Sequence, residues 1–245
     1  GRVIASGTVA GTISSATSLV GTHANDRIGD YDDLLFLNNG NGVYIHSAWN
    51  GGAGAVTFWN TQHDLVGPVD ETTSLVGVTS NDHVGSWQND VTRDGLHYYV
   101  VSPDFDSGKG AITFADGSTG VKDFVGTGNS LVGAAPGDHL GANDVDDLFN
   151  GNYYVVSDHG GRGAVTFFNP GAAPHGTVGD GNSLVGTGTG DDIGGGLVRQ
   201  LQGNVWAVQS PGWDGPGGAT DAGAVTLFDA ANGTFLGTST PLAGA

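Results

Sequence analysis

Several residue types are missing or scarce in this chain of 245 residues. It has no cysteine and no methionine, so a zinc ribbon, an iron–sulfur centre and a thiol enzyme all lack the side chains they need. Basic residues number 7 against 25 acidic ones, which excludes a basic nucleic-acid binder, because phosphate contacts need lysine and arginine. Glu71 is the only glutamate, and Lys109 and Lys122 are the only lysines. With so few strong helix formers, the composition excludes an α-helical protein.

Long hydrophobic runs are absent as well. No stretch approaches the roughly 18 apolar residues of a membrane-spanning helix, so we expect no insertion into a membrane. The first residues, 1–6, lack the long apolar core of a signal peptide. Because the initiator methionine is also missing, we expect a processed chain or a piece of a larger protein.

Glycine and aspartate are abundant instead. The chain has 46 glycines, and 24 of its acids are aspartates, which gives a net charge of −18. Both residue types favour turns. The hydrophobic fraction of 38% argues against disorder, which requires low hydrophobicity as well as high charge.

A tetrapeptide, Ser-Leu-Val-Gly, occurs four times and marks an internal repeat. An aspartate follows eight residues after each serine and opens an Asp-x-apolar-Gly string; then come an apolar run ending in serine and a Gly-Ala-apolar-Thr string. The serines are Ser18, Ser74, Ser130 and Ser183, and the aspartates are Asp26, Asp82, Asp138 and Asp191. We expect one repeat domain over 1–245, with a partial unit or closing strand at 1–17 and repeats at 18–73, 74–129, 130–182 and 183–245.

Each repeat has the residues of four short strands. Asn-Gly or Asp-Gly turns, which tolerate positive φ, precede runs rich in tyrosine and valine. The sequence therefore predicts an all-β, β-propeller-like array of four four-stranded repeats plus the partial unit. A β-solenoid is the alternative, although its coils are usually nearer 20–30 residues. Exposed terminal edges favour self-association or completion by adjacent repeats of a larger chain.

The third repeat carries a family resemblance. Its strings at 129–133, 137–141, 150–157 and 163–166 resemble a repeat of very large bacterial surface and secreted proteins, including filamentous-haemagglutinin-like adhesins. More distantly, a Tyr-Val-Val run followed by Gly-Ala-Val-Thr-Phe is similar to the FG-GAP blade of integrin-type β-propellers. The resemblance implies a noncatalytic structural or adhesive module at the bacterial cell surface or outside the cell, such as a segment or subunit of a surface filament.

FG-GAP blades bind Ca²⁺ through an Asp-rich loop, so the resemblance also points to two acidic clusters as calcium ligands. They are Asp30, Asp32 and Asp33 in the first repeat and Asp144, Asp146 and Asp147 in the third. Neither cluster has the full pattern with its glycine. Two interpretations stay open: a Ca²⁺ site built from carboxylate oxygens, or a solvated turn. Calcium is therefore the one candidate cofactor.

The four recurrent aspartates suggest a different role. An aspartate at a recurrent turn usually accepts hydrogen bonds from backbone N–H groups. We therefore expect Asp26, Asp82, Asp138 and Asp191 to be structural turn residues, with metal or ligand contact as the alternative.

Aromatic side chains beside polar ones occur in the loops between the second and third strands. The candidates for a ligand site are Trp49, Asn50, Asp104, Phe105, Trp213 and Asp214. Sugars stack on aromatic faces and bond to carboxylates and amides, so a lectin-like site for a carbohydrate or cell-surface ligand is one interpretation of these loops. The other, which we favour, is that the rings pack between blades. No nucleophile elbow, phosphate loop or paired catalytic carboxylates stand out, and we expect no enzyme activity.

Overall fold

The computed structural model describes residues 11–30, 34–63, 65–143 and 145–236, with the side chains of Trp87 and Gln88 left aside. Within these ranges the protein is all-β and repetitive, with several sheets, none of which closes on itself. Three short segments interrupt the strands: α1 (Trp49–Gly52) and α2 (Phe105–Gly108), which are single turns whose second and third residues have positive, non-helical φ, and a 3₁₀ turn, η1 (Pro170–Ala172). No described helix has the length and apolar character needed to cross a membrane.

Four sheets follow one another along the chain, and a two-stranded ribbon precedes them. The ribbon contains β1 (Leu19–Val20) and β5 (Gly67–Pro68). Sheet 1 contains β2 (Leu34–Phe36), β3 (Gly42–His46), β4 (Ala55–Trp59), β6 (Leu75–Val76) and β10 (Asp123–Phe124). Sheet 2 contains β7 (Trp87–Val91), β8 (His97–Ser102), β9 (Ala111–Asp116), β11 (Leu131–Val132) and β15 (Gly176–Thr177). Sheet 3 contains β12 (Val145–Asp147), β13 (Tyr153–Ser157), β14 (Ala164–Phe168) and β16 (Ser183–Val185). Sheet 4 contains β17 (Val198–Gln202), β18 (Val205–Ser210), β19 (Ala224–Asp229) and β20 (Thr234–Leu236).

The first three strands of every sheet form the antiparallel meander that the turns predict. In sheet 3, for example, Val145 pairs with Val155, which pairs in turn with Thr166. Short Gly-containing turns join the first two strands, because Asn-Gly and Asp-Gly adopt the positive φ that a tight hairpin requires. Gly151, at φ +86°, is one such residue.

The Ser-Leu-Val-Gly strand belongs to the sheet of the preceding repeat. It pairs antiparallel with the Gly-Ala-apolar-Thr strand of that repeat, in the register Ala55–Val76, Ala111–Val132 and Ala164–Val185. Each repeat as delimited by sequence therefore contributes to two sheets. A further two-residue strand, which sequence reasoning missed, pairs in parallel with the Ser-Leu-Val-Gly strand of the ribbon, sheet 1 and sheet 2.

The alignment of the first repeat also differs from expectation. The sequence predicts that the apolar run of the first repeat ends at Ser47, level with Ser102 of the second repeat. In the structure His46 pairs with Ala55 as Ser102 pairs with Ala111. His46 therefore occupies the serine position, and its Nε2 lies 3.0 Å from the Thr57 hydroxyl.

The core lies between the sheets, which stack face to face. Successive side chains of a strand point to opposite faces, so Tyr98 and Val100 pack toward sheet 1 while Tyr99 and Val101 pack toward sheet 3. Separate apolar clusters fill the spaces between sheets 1 and 2, 2 and 3, and 3 and 4, and another joins the ribbon to sheet 1. Stability is therefore distributed over successive interfaces, as in other repeat proteins.

Glycine is required where the Asp-x-apolar-Gly turns of the second, third and fourth repeats cross the preceding sheet. Gly110 has φ +76°, and a Cβ atom there would collide with the backbone of Leu140. The close approach lets the Leu140 N–H donate to Lys109 O at 3.0 Å. A side chain at Gly110 would push the turn off the sheet, and the same close approach explains Gly54 and Gly163, which open the equivalent strings of the first and third repeats.

Candidate functional site

The four recurrent aspartates are buried and make the same contacts. In the third repeat, Asp138 Oδ2 accepts hydrogen bonds from the backbone N–H groups of Ala134 and Ala135 at 2.8 and 2.9 Å. Its Oδ1 accepts from Gly160 N at 2.8 Å. The other three aspartates each accept from three equivalent backbone N–H groups. Asp26 accepts from Thr22, His23 and Asn50; Asp82 accepts from Val78, Thr79 and Asp106; Asp191 accepts from Thr187, Gly188 and Asp214.

Each of these carboxylates fastens two separate segments. One segment follows the Ser-Leu-Val-Gly strand, which completes one sheet, and the other is the loop between the second and third strands of the next sheet. We call this contact the aspartate clamp. Backbone N–H groups of Gly188 and Asp214 lower the pKa of Asp191 below its usual value, because they stabilise the charged form. With their oxygens occupied by backbone donors, these aspartates join sheets rather than face solvent.

The predicted aromatic ligand residues lie beside the clamp and face inward. Trp49 is buried, and its Nε1 donates to Val69 O at 2.9 Å. Phe105 belongs to the apolar cluster between sheets 1 and 2, and Trp213 packs against the cluster between sheets 3 and 4. The faces of Trp49 and Phe105 are therefore unavailable for stacking on a sugar. Sequence reasoning missed His159, which is buried at the same place in the third repeat.

The polar residues beside these aromatics in the sequence make hydrogen bonds within or next to their own loops. Asn50 contributes its backbone N–H to the clamp. Asp104 Oδ2 lies 2.8 Å from His83 Nδ1, so this pair joins the loop to the preceding turn. Asp214 Oδ1 accepts from Asp221 N at 2.9 Å and so closes its own loop. The structure does not gather these residues into one pocket with the aromatic rings.

The first acidic cluster falls partly outside the described residues, since Asp32 and Asp33 lie there. Asp30 lies 3.5 Å from Arg27 Nη1. In the second cluster, Asp144 also lies outside the described part of the chain. Asp147 Oδ2 lies 2.9 Å from Arg93 Nη1, and Asp146 is exposed on β12. Over the described ranges, no group of three or more histidine, aspartate or glutamate side chains is placed to hold a metal ion.

The hairpin turns form a second set of links between sheets. Asn39 Nδ2 and Asn41 Nδ2 both donate to Gly117 O, at 2.7 and 2.9 Å. The third repeat makes the same pair of bonds to sheet 4, with Asn150 and Asn152 donating to Ala230 O. The sequence predicted these asparagines only as turn residues; the Asn-Gly-Asn spacing was the available signal for a second role.

The second repeat uses a cation in place of the asparagine pair. The backbone N–H of Arg93 donates to the Tyr153 hydroxyl at 2.7 Å. The guanidinium of Arg93 lies 4.7 Å from the centre of the Phe149 ring. The ion pair with Asp147 holds the same guanidinium. An acid predicted as a calcium ligand thus contributes to the contact between sheets 2 and 3.

Comparisons with known proteins agree with the repetitive architecture. The sequence model of a family described as "Repeat of unknown function (DUF5650)" matches the chain five times, at residues 4–30, 36–86, 93–142, 147–195 and 201–238. No curated protein matches the chain.

Proposed function

Because the chain belongs to the family built from this repeat of unknown function, we propose that it is a noncatalytic structural or adhesive module of a bacterial extracellular or cell-surface protein. The observation that carries the proposal is the use made of the recurrent side chains. The aspartate clamps, the asparagine pairs and the loop aromatics all contact a neighbouring sheet or segment. Because its recurrent residues hold its own sheets together, the repeat is suited to a structural or display role.

The proposed arrangement of the sheets is that of propeller blades. Three antiparallel strands per repeat, a fourth strand from the next repeat, and face-to-face packing support this arrangement. A β-solenoid would need long parallel ladders, whereas the parallel strand pairs of the described residues are two residues long. Small-angle scattering distinguishes a ring of blades, with a radius of gyration of about 18 Å, from an extended stack, whose radius would be larger.

A bead assay tests the adhesive role. Beads coated with the purified chain are expected to cluster with one another or attach to cell surfaces more than beads coated with albumin. Heat-unfolded chain is the matched control, because it has the same charge without the assembled sheets. Equal attachment of native and unfolded chain would contradict the proposal, and so would turnover of a panel of glycoside substrates.

The location and the alternatives need separate measurements. Protease treatment of intact source bacteria is expected to release peptides of this chain, and their confinement to the cytosol would overturn the surface assignment. Specific binding on a glycan array would favour the lectin-like alternative. A melting temperature that falls with EDTA and recovers with Ca²⁺ would favour the calcium-dependent alternative.

A further inference from the structure

The second hairpin turn differs from its counterparts at the two positions that link sheets. Asparagine occupies both positions in the first and third hairpins, where both amides donate to one carbonyl of the next sheet. Asp94 and His97 occupy them in the second hairpin. The bond from Thr92 N to His97 O, at 2.9 Å, closes this hairpin as the bond to Asn41 O closes the first. Asp94 Oδ2 lies 3.1 Å from His97 Nδ1, so these two side chains bond to each other.

The facing part of sheet 3 is different as well. In the other two contacts the accepting carbonyl belongs to Gly117 or Ala230, each four residues after the threonine of the third strand. The same position in sheet 3 is Pro170, which begins η1. The Pro170 carbonyl accepts from Ala173 N at 3.0 Å, so η1 itself occupies the acceptor that the other two contacts offer to a hairpin.

A cavity of about 170 Å³ lies between the second hairpin and η1. Arg93, Asp94 and His97 line it from sheet 2, and Tyr153 and Gly171 line it from sheet 3. A Cβ atom at Gly171 would lie 3.8 Å from His97 Nε2, so this nitrogen faces η1 across the cavity. The volume is that of roughly six water molecules, which is enough for a small organic molecule.

Two polar groups of the cavity have bonding capacity that the protein does not use. The Asp94 carboxylate can only accept, so His97 carries a proton on Nδ1 and, when neutral, offers Nε2 as an acceptor. The Tyr153 hydroxyl accepts from Arg93 N at 2.7 Å and keeps its own proton to donate. Burial raises the pKa of Tyr153 above its usual value, so the hydroxyl remains a donor. Within the described part of the chain, neither group has a protein partner for this second bond.

The charged groups around the cavity are paired with one another. Arg93 Nη1 lies 2.9 Å from Asp147 Oδ2, and Asp94 is paired with His97. A bound ion would have to compete with one of these pairs, whereas a neutral ligand leaves both intact. A hydroxyl group both accepts and donates, so hydroxyl groups can accept from Tyr153 and donate to His97 Nε2. These features favour a neutral ligand rich in hydroxyl groups.

We propose that the cavity between the second hairpin and η1 binds a neutral polyhydroxy ligand, either a free polyol or the terminal residue of a sugar chain, through His97 Nε2 and the Tyr153 hydroxyl. The site is separate from the aromatic loops, which join the second and third strands at their opposite ends. The inference goes beyond the proposed structural or adhesive role. Binding is measured on the free chain in solution, so the site and the adhesive role can fail independently.

An NMR titration of the chain tests the site. Xylitol is the free polyol, and the methyl glycosides of glucose, galactose and mannose are the chain ends, with the methyl group in place of the rest of the chain. The imidazole signal of His97, assigned by its loss in His97→Gln, is expected to shift and saturate with a dissociation constant on the order of 1–10 mM. Saturation by xylitol indicates a polyol, and saturation by a glycoside indicates a chain end. If no probe gives a saturable shift at concentrations about tenfold higher, the proposal is overturned.

Two variants place the binding in this cavity. Gly171→Ala adds a methyl group 3.8 Å from His97 Nε2 and requires Asn169 Oδ1, at 3.1 Å, to shift by only a few tenths of an ångström, so it should fold but bind at least about tenfold more weakly. Gly128→Ala is the matched control, because its Cβ atom meets no atom within 4 Å, and it should bind like the native chain. Tyr153→Phe keeps the ring without the donor and should raise the dissociation constant about three- to tenfold. A native dissociation constant in either Gly171→Ala or Tyr153→Phe would refute the proposed site.

Discussion

Replacing Asp138 by asparagine tests whether the aspartate clamp stabilises the stack. The substitution keeps the shape of the side chain but turns one oxygen into an NH₂ group that can only donate. Three backbone N–H groups point at the carboxylate: those of Ala134, Ala135 and Gly160. In its better orientation the asparagine retains two of these bonds in a weaker, uncharged form and leaves the Gly160 N–H facing another donor.

The expected loss follows from these contacts. A hydrogen bond to a charged group contributes about 1.5–3 kcal/mol, a neutral one about 0.5–1.5 kcal/mol, and a buried donor left without a partner costs about 1–3 kcal/mol. Allowing for local relaxation, we expect Asp138→Asn to lower the free energy of unfolding by about 2–4 kcal/mol. For a chain of this length that corresponds to a fall in melting temperature on the order of 5–15 °C.

Two measurements check this prediction. Denaturant unfolding gives the free energy, and hydrogen exchange of the Gly160 N–H reports the clamp itself. Asp146→Asn is the matched control, because it removes the same charge from an exposed side chain of the same repeat, and it is expected to change stability by less than about 0.5 kcal/mol. Equal stability of the two variants, or unchanged exchange at Gly160, would refute the reasoning.

Two further predictions concern the loss of stability at low pH and the effect of alanine at two glycine positions. The backbone N–H groups of Gly188 and Asp214 lower the folded pKa of Asp191, so its contribution is present above the unfolded value of about 4 and is lost as pH falls through the folded value. Denaturant midpoints from pH 7 to pH 2 should therefore fall less steeply in Asp191→Asn than in the native chain, and identical acid slopes would contradict this. A Cβ atom at Gly151 would meet no atom within 4 Å, so Gly151→Ala should lower the free energy of unfolding by about 1–2 kcal/mol through its positive φ alone. Gly110→Ala has a similar φ but collides with Leu140, so thermal unfolding should show it clearly less stable than Gly151→Ala; equal melting temperatures would argue against the close approach.

Local features of the fold were predictable from the sequence. The Asn-Gly turn at 150–151 and the strand at Tyr153–Ser157 depend on residues that are neighbours in the chain, because turn φ angles and strand propensity are local properties. The recurrence of Ser-Leu-Val-Gly gave the period in the same direct way. The partner of that strand was not predictable, since a two-residue strand such as Leu131–Val132 could pair with either flanking repeat.

At the candidate site, too, the local roles were predictable from the sequence and the long-range contacts were not. The spacing of the four aspartates indicated a turn role, but the donor from the next loop, such as Gly160 for Asp138, lies about twenty residues further on and has no sequence signature. The loop aromatics were candidates both for packing between blades and for ligand binding, because exposure cannot be read from a single Trp or Phe. Folding places Trp49 and Phe105 between sheets, where their large apolar surfaces are removed from water.

The sequence by itself determined an all-β repeat, its period, its hairpins, and the positions where glycine and aspartate form turns. These depend on backbone preferences of a few adjacent residues. Only the tertiary structure decided that each repeat completes the sheet before it and that the recurrent carboxylates clamp neighbouring sheets. Those outcomes depend on contacts between residues far apart in the chain, which are selected by packing and by satisfying buried hydrogen-bonding groups.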